Sequence, residues 1–363
     1  MKKYILIILL ISALFTSCHN GDWEFSDYDY TAVYFAYQTP VRTIVLGEDV
    51  FDTSLDNEHK CQIMATMGGV YANNVDRIIN FQVDNSLCNS LVFEDGSDVA
   101  AMPANYYSLS SDKITIPKGS VLGGVTVSLT DAFFADPLAL KNTYVIPVVM
   151  TGVQNADSIL RGAPLTANPN RAIADNWDIA PKDYILYAVK YINPWDAYYL
   201  RRGKDVIVKD GVTETKVRQA DYVEKDEVFK LTTLSMSELD LPTDFQNQLG
   251  NNLNLKIKLN FSADQKCTVT PVTTAYQLND TVSVYNITAK GNGQFVKKGE
   301  KNSWGNKDRD ALYLDYEVGY EVEIRYPKAG LPTNNQVVKY NTTDTLVVRD
   351  RGVKPETFTP KLK

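Results

Sequence analysis

Strict alternation of apolar and polar residues is the feature that most limits what this chain can fold into. Leu253-Asn254-Leu255-Lys256-Ile257-Lys258-Leu259-Asn260-Phe261 alternates without a break, as do Val125-Thr126-Val127-Ser128-Leu129 and the series Leu312, Leu314, Tyr316, Val318. Successive side chains on an extended strand point to opposite faces, so a period of two predicts antiparallel strands with one face on a core and the other in water. Val206-Ile207-Val208-Lys209-Asp210-Gly211-Val212 adds a hairpin whose Asp-Gly turn accepts positive φ angles. Gly319 interrupts a run that resumes in phase at Tyr320, Val322, Ile324 and Tyr326, which predicts a bend or bulge in a long strand. Helical signals are sparse. Thr243-Asp244-Phe245-Gln246 resembles a capping box and predicts one short helix closed by Gly250. The pattern is that of an all-β chain.

Two loop-forming stretches, Arg161-Gly162-Ala163-Pro164 and Ala167-Asn168-Pro169-Asn170, mark a linker over residues 161–175. Before it, residues 31–160 carry short strands with turns at regular spacing, the pattern of an immunoglobulin-like sandwich. After it, residues 176–363 carry longer strands and more aromatic residues, which suits a larger antiparallel β-barrel or sandwich. Trp177, just past the linker, is placed to join the two domains.

The start of the chain reads as a targeting segment. Met1-Lys2-Lys3 is basic, and the apolar run Tyr4 to Phe15 is too short to span a bilayer comfortably. It ends at Leu14-Phe15-Thr16-Ser17-Cys18, which resembles a bacterial lipoprotein signal over residues 1–17 with Cys18 as the acylated residue and residues 18–30 as a tether. An ordinary secretory peptide with a chance cysteine is the alternative. Acylation would hold the chain on a membrane by buried lipid. Losing Lys2 and Lys3 takes the formal charge from -7 to -9. An acidic chain without Lys/Arg runs is a poor partner for nucleic acid, so that class is set aside.

Cys61, Cys88 and Cys267 follow Cys18. Export permits a Cys61–Cys88 bridge, but buried free thiols fit equally well, and the spacing matches no metal motif. With only His19 and His59 in the chain, a zinc site or a Ser-His-Asp triad would rest on His59 alone. No phosphate loop or nucleophile elbow appears, and no cofactor or metal is expected. Asp131 and Asp136 flank aromatics in one loop, with a spacing that matches no standard calcium loop. Asp308/Asp310 and Glu321/Glu323 alternate as solvated pairs do, and nothing in them marks the two opposed carboxyls of a glycosidase. The chain is therefore expected not to be an enzyme.

Aromatic residues in polar company are the remaining signal. Trp304 lies in Lys301-Asn302-Ser303-Trp304-Gly305-Asn306-Lys307-Asp308, and Trp195 in Asn193-Pro194-Trp195-Asp196-Ala197-Tyr198-Tyr199. Sugars present flat C–H faces that stack on indole, and leave hydroxyls for Asp and Asn. The candidate ligand-binding residues are therefore Trp304, Asn306, Asp308, Trp195 and Tyr199. The competing reading has Trp304 folding back to cap its own sheet and Trp195 packing among strand residues.

Several separated motifs resemble a known family. They are Val33-Tyr34-Phe35 through Gly47-Glu48, Gly68-Gly69-Val70-Tyr71-Ala72-Asn73, Tyr106-Tyr107, Ile116-Pro117-Lys118-Gly119 and Tyr144-Val145-Ile146-Pro147. Together they are similar to the DUF1735-type domain of Bacteroidetes surface lipoproteins, over roughly residues 30 to 160. The resemblance implies an immunoglobulin-like sandwich ahead of either a family-18 glycoside-hydrolase-like domain or a non-catalytic glycan-binding domain. The hydrolase's Asp-x-x-Asp-x-Asp-x-Glu pattern is missing after residue 160, and residues 176–363 are too strand-rich for a (β/α)₈ barrel. Residues 193–199 with Thr345-Leu346-Val347-Val348-Arg349-Asp350-Arg351 look like the second domain of the non-catalytic relatives, which implies a lipocalin-like barrel. The expected function is capture of oligosaccharide for an outer-membrane transporter by a lipid-anchored surface protein. The alternative is a structural or adhesin-like lipoprotein that binds a protein partner.

Overall fold

A computed structural model describes residues 27–325 and 334–363, apart from residues 244 and 248. Cys18 and its signal, Trp23 and Tyr326 lie outside the described residues. The chain is all-β, and its alternating runs become strands. Val125, Val127 and Leu129 face inward from Leu122–Leu129, and Leu253, Leu255, Ile257, Leu259 and Phe261 are all buried.

The first body is a sandwich of a 5-stranded and a 7-stranded sheet. The smaller sheet centres on Lys60–Gly68, paired with Ala32–Tyr34 and Leu122–Leu129. The larger centres on Tyr144–Gln154, whose run Tyr144 to Met150 is buried throughout because it is covered on both faces. Val33, Ile63, Val127, Ile146 and Tyr191 meet between the sheets. Tyr184–Ile192 lies beyond the 161–175 linker, yet it pairs with Tyr144–Gln154 and, in parallel, with Pro40–Val45. The sandwich therefore includes a strand that the sequence placed in the second domain, and the crossing point moves to Asn193-Pro194. The cause is the apolar content of Tyr184 to Val189, which only a doubly covered sheet position buries. Trp177 does not bridge the domains. Its strand Trp177–Ile179 pairs with Ala163–Pro164, and its indole N–H donates to the Asn170 carbonyl (2.8 Å).

The second body is an antiparallel barrel. Its sheet runs from Ala197–Lys209 through Glu227–Thr233, Glu238–Leu241, Ile257–Phe261, Lys266–Pro271, Val282–Glu300 and Arg309–Ile324 to Asn334–Asp350, which pairs back onto Ala197–Lys209 and closes the ring. The hairpin at Asp210-Gly211 forms as the sequence predicts, with φ of 49° and 84°. Two expectations change. Phe245–Gln246 is a strand paired with Asn252–Leu253 and not the start of a helix, because pairing buries Leu253 inside the barrel. The irregularity expected at Gly319 lies on the strand opposite it, between Tyr285 and Thr288, where Asn286 takes a φ of 50°.

Beyond Asp350 the chain returns to the sandwich. Glu356–Thr357 pairs with Pro40–Val45, and Phe358 packs on Phe93 with ring centroids 4.8 Å apart. Cys61, Cys88 and Cys267 are free and buried, and burial pushes each thiol up to about 12. The bridge considered for Cys61 and Cys88 is not formed.

Candidate functional site

The wall of the barrel parts at one place. Glu227–Thr233 pairs with only the first part of Ala197–Lys209, residues 197–201, and from Gly203 onward Val212–Arg218 takes over that edge. The hairpin fans away from the barrel and leaves a cavity of about 410 Å³ between it, the 219–227 connection and the Phe245 strand.

The inward row of Ala197–Lys209 changes character at this opening. Ala197 and Tyr199 are core residues, but Arg201 and Asp205 continue the same face as buried charges. Across from them, Asn334–Asp350 places Asp344 opposite Gly203, Thr342 opposite Asp205 and Tyr340 opposite Ile207. Asp344 joins two guanidinium groups. Its Oδ2 accepts from Arg201 Nε (3.1 Å) and from the Tyr316 hydroxyl (3.2 Å), while its Oδ1 accepts from Arg218 Nη2. Arg218 Nη1 donates to Asp205 Oδ2 (3.0 Å), and the Thr342 hydroxyl donates to Asp205 Oδ1 (2.8 Å). Gly203 leaves room for this arrangement. A Cβ there would lie 2.2 Å from Asp344 Oδ1 and 3.0 Å from Arg218 Nη2.

Buried charges persist only when paired and hydrogen-bonded, and this set meets that condition by connecting every member. Burial opposes the charge on Arg201, but Tyr316, Asp344 and Glu227 around it outweigh that cost and hold its pKa above the ordinary arginine value. Burial and then Asp344 raise the Tyr316 hydroxyl, so it stays protonated as a donor. Behind the connection, Arg202 Nε donates to Asp226 Oδ2 (2.6 Å), and Asp226 Oδ1 accepts from the Ala220 N–H (2.9 Å). Phe245 and Tyr340 add a ring shelf to the cavity wall, with centroids 4.2 Å apart and planes inclined by 32°. The arrangement can hydrogen-bond a polyhydroxylated ligand through groups already fixed by one another, beside an aromatic surface.

The residues singled out from sequence do not gather here. Trp304 lies in a turn at the junction end of the barrel. Its indole N–H donates to the Val348 carbonyl (3.1 Å), and the Arg309 guanidinium stacks on its ring at 3.4 Å. It caps its own sheet, half-buried, with one face of its ring covered by Arg309. Asn306 takes a φ of 53° in the same turn, and the Asp308 carboxylate accepts from Lys301 Nζ (2.9 Å) and the Asn302 N–H (3.2 Å). These residues hold the turn. Trp195 is buried against Phe261, stacked at 4.0 Å and 10°, with its N–H donating to Gln265 Oε1 (3.0 Å). Tyr199 is wholly buried and its hydroxyl donates to the Trp195 carbonyl (2.6 Å). Tyr199 is core because the strand that begins at Ala197 turns it inward, whereas Trp195 precedes that strand and, although buried, lines a second cavity of about 350 Å³ with Gln265 and Phe295. In the 131–137 loop, Asp136 accepts from the Tyr106 and Tyr144 hydroxyls (3.0 and 2.6 Å), and no cluster of metal-binding side chains is found among the described residues.

One signal for the cavity was present in the sequence. Arg201, Asp205, Thr342 and Asp344 occupy the parity that Ala197, Tyr199, Val338 and Leu346 reserve for the core. Charges in an inward row require partners, and these come both from the neighbouring hairpin strand, 13 residues on for Asp205–Arg218, and from strands more than a hundred residues apart for Arg201–Asp344, Arg218–Asp344 and Asp205–Thr342.

The fold and this cavity define a class: a two-domain chain in which an antiparallel sandwich carries a closed barrel with a polar, ring-lined mouth. A model for a domain of unknown function, DUF5627, matches residues 194–352, and a model described as an N-terminal domain matches residues 28–157. A crystal structure of a protein of unknown function from Bacteroides ovatus is 42% identical, covering 93% of this chain and 100% of that one, with a TM-score of 0.80. The chain belongs to the family of that Bacteroides ovatus protein, and the residues that the DUF5627 model matches form its barrel. More distantly, a multidomain Bacteroides ovatus protein that includes DUF1735 is 13% identical, covering 90% of this chain and 97% of that one, with a TM-score of 0.39. Comparison with curated proteins gives no match.

Proposed function

We propose that this chain is a non-catalytic glycan-binding lipoprotein of the bacterial outer membrane, which takes an oligosaccharide at the barrel mouth for an outer-membrane transporter. The observation that carries the reading is the cavity itself: fixed, mutually connected polar groups beside the Phe245–Tyr340 shelf, open at one rim. Sugars are bound by such a combination of planar polar groups and a ring face. The non-catalytic part is supported by the commitments of the carboxylates. Asp344, Asp205 and Asp226 each face an arginine, whereas a glycosidase presents two carboxyls across one sugar bond. Attachment through Cys18 rests on the signal-like sequence before it, and the sandwich then serves as a spacer that holds the barrel away from the membrane.

The test is a glycan-array screen of folded protein beginning after Cys18, run beside Tyr340→Ala and Trp304→Ala. Binding to one glycan class that Tyr340→Ala weakens by about tenfold, the upper value of one lost ring contact, and that Trp304→Ala leaves alone supports both function and site. Loss in Trp304→Ala alone would move the site to the 301–308 turn. Failure of the folded protein to bind any glycan would sink the reading in favour of a protein-binding lipoprotein.

A further inference from the structure

The distribution of satisfied and unsatisfied charge in the mouth says which glycans it takes. Resting on the glycan reading above, we propose that the ligand is an acidic oligosaccharide, whose carboxylate or sulfate sits between Lys216, Lys225 and the inner guanidinium of Arg218. Most acids of the cavity are already engaged: Asp344 by Arg201 and Arg218, Asp205 by Arg218 and Thr342, and Asp226 by Arg202 and the Ala220 N–H. Only Glu227 is loosely held, at 4.0 Å from Arg201. The charged donors are not used up in the same way. Arg218 Nε is buried without an acceptor among the described residues. Lys216 and Lys225 line the same cavity and form no ion pair among the described residues, and Lys225 only overlies the Tyr222 ring at 5.5 Å.

What remains free in the mouth is therefore donor and cationic. A neutral sugar would leave the Arg218 N–H with a hydroxyl as acceptor. An anionic substituent gives that N–H a charge-assisted partner and places its charge beside two unpaired ammonium groups. The surrounding field is acidic, with a chain net charge of -7. Selection for an anion must consequently come from these local groups, over distances shorter than the screening length.

The experiment is titration of the folded chain with oligogalacturonate, its methyl-esterified neutral counterpart and a sulfated chondroitin oligosaccharide of similar length, each at low and high salt. The double variant Lys216→Glu/Lys225→Glu is titrated in parallel, with thermal unfolding as the check that it folds. The expected result is binding of the oligogalacturonate or the sulfated probe in preference to the neutral one. That binding should weaken on adding salt and fall about tenfold or more in the double variant at unchanged unfolding temperature. Which of the two probes binds distinguishes a uronate from a sulfate as the source of charge. Equal binding of neutral and acidic probes, or acidic binding indifferent to salt and to the double variant, overturns the inference and leaves the glycan reading standing. Absence of binding to all three, with no hit on the glycan array, overturns both together.

Discussion

Asp344 concentrates the energetics of the mouth in one side chain. It is fully buried between Arg201 and Arg218, and each of its oxygens accepts from a guanidinium. Replacing it by alanine leaves Arg218 with Asp205 alone and Arg201 with only Glu227 at 4.0 Å, and breaking a buried ion pair by removing one partner costs about 3–5 kcal/mol. Asp344→Ala is expected to lower the unfolding free energy by that amount in urea denaturation, with the slope of the transition unchanged; a loss under about 1 kcal/mol would mean that the network does not exist as described. The same residue shows what a sequence withholds. Its inward parity is legible from Leu346 and Val338 on either side. The identity of its partners is not, because Arg201 and Arg218 reach it only when Asn334–Asp350 closes the barrel against Ala197–Lys209.

Short elements of the sandwich carry a second kind of dependence. The turn Asp131–Phe134 and the Pro137–Leu140 turn after it are tied together by Asp136, which caps the latter through the Leu138 N–H (2.9 Å). Burial opposes the charge on Asp136, but the Tyr144 and Tyr106 hydroxyls and that N–H outweigh it and hold its carboxyl below the usual aspartate range. A group whose pKa is depressed on folding contributes stability that is complete above its unfolded value, near 4, and is lost as pH falls through the folded one. Asp136→Asn should therefore flatten the acid side of the stability–pH curve while shifting the neutral plateau little in slope. An unaltered acid limb in the variant would rule out this contribution. At this scale the sequence was a good guide to strands and a poor one to the 243–250 segment. Its capping signal is local, whereas the burial of Leu253 that makes it a hairpin is not.

The two bodies are joined by more than a linker. The chain crosses at Asn193-Pro194 and returns after Asp350, and Arg351 fastens both crossings. Its guanidinium donates to the carbonyls of Asp196 (2.6 Å), Asn193 (2.6 Å), Leu46 (3.1 Å) and Glu48 (3.3 Å), so one side chain holds barrel, junction and sandwich loop. Asn193 is wholly buried and donates to the Ser235 and Glu238 carbonyls (2.9 and 3.0 Å). The stretches 193–199 and 345–351, which resemble the second domain of the non-catalytic relatives, supply the fittings of this joint through Asn193, Asp196 and Arg351. Arg351→Ala removes a charged donor from four carbonyls, and it is expected to split thermal unfolding by calorimetry into separate sandwich and barrel transitions and to open the junction to limited proteolysis. A single transition at a merely lower temperature would show that the double crossing suffices without the arginine.

What the sequence determined by itself was the class and the faces: period two gives strands with a buried and an exposed side, and that geometry needs no knowledge of the partner. It also fixed the hairpin at Asp210-Gly211 and, through Arg201, Asp205 and Asp344, the presence of charge in inward rows. Only the tertiary structure decided where those rows meet, that Tyr184–Ile192 belongs to the sandwich, that Trp195 and Tyr199 are buried, and that Trp304 is held half-buried under Arg309. The reason is that burial and ion pairing are set by strands distant along the chain, and a local pattern records which face a side chain takes but not what stands opposite it.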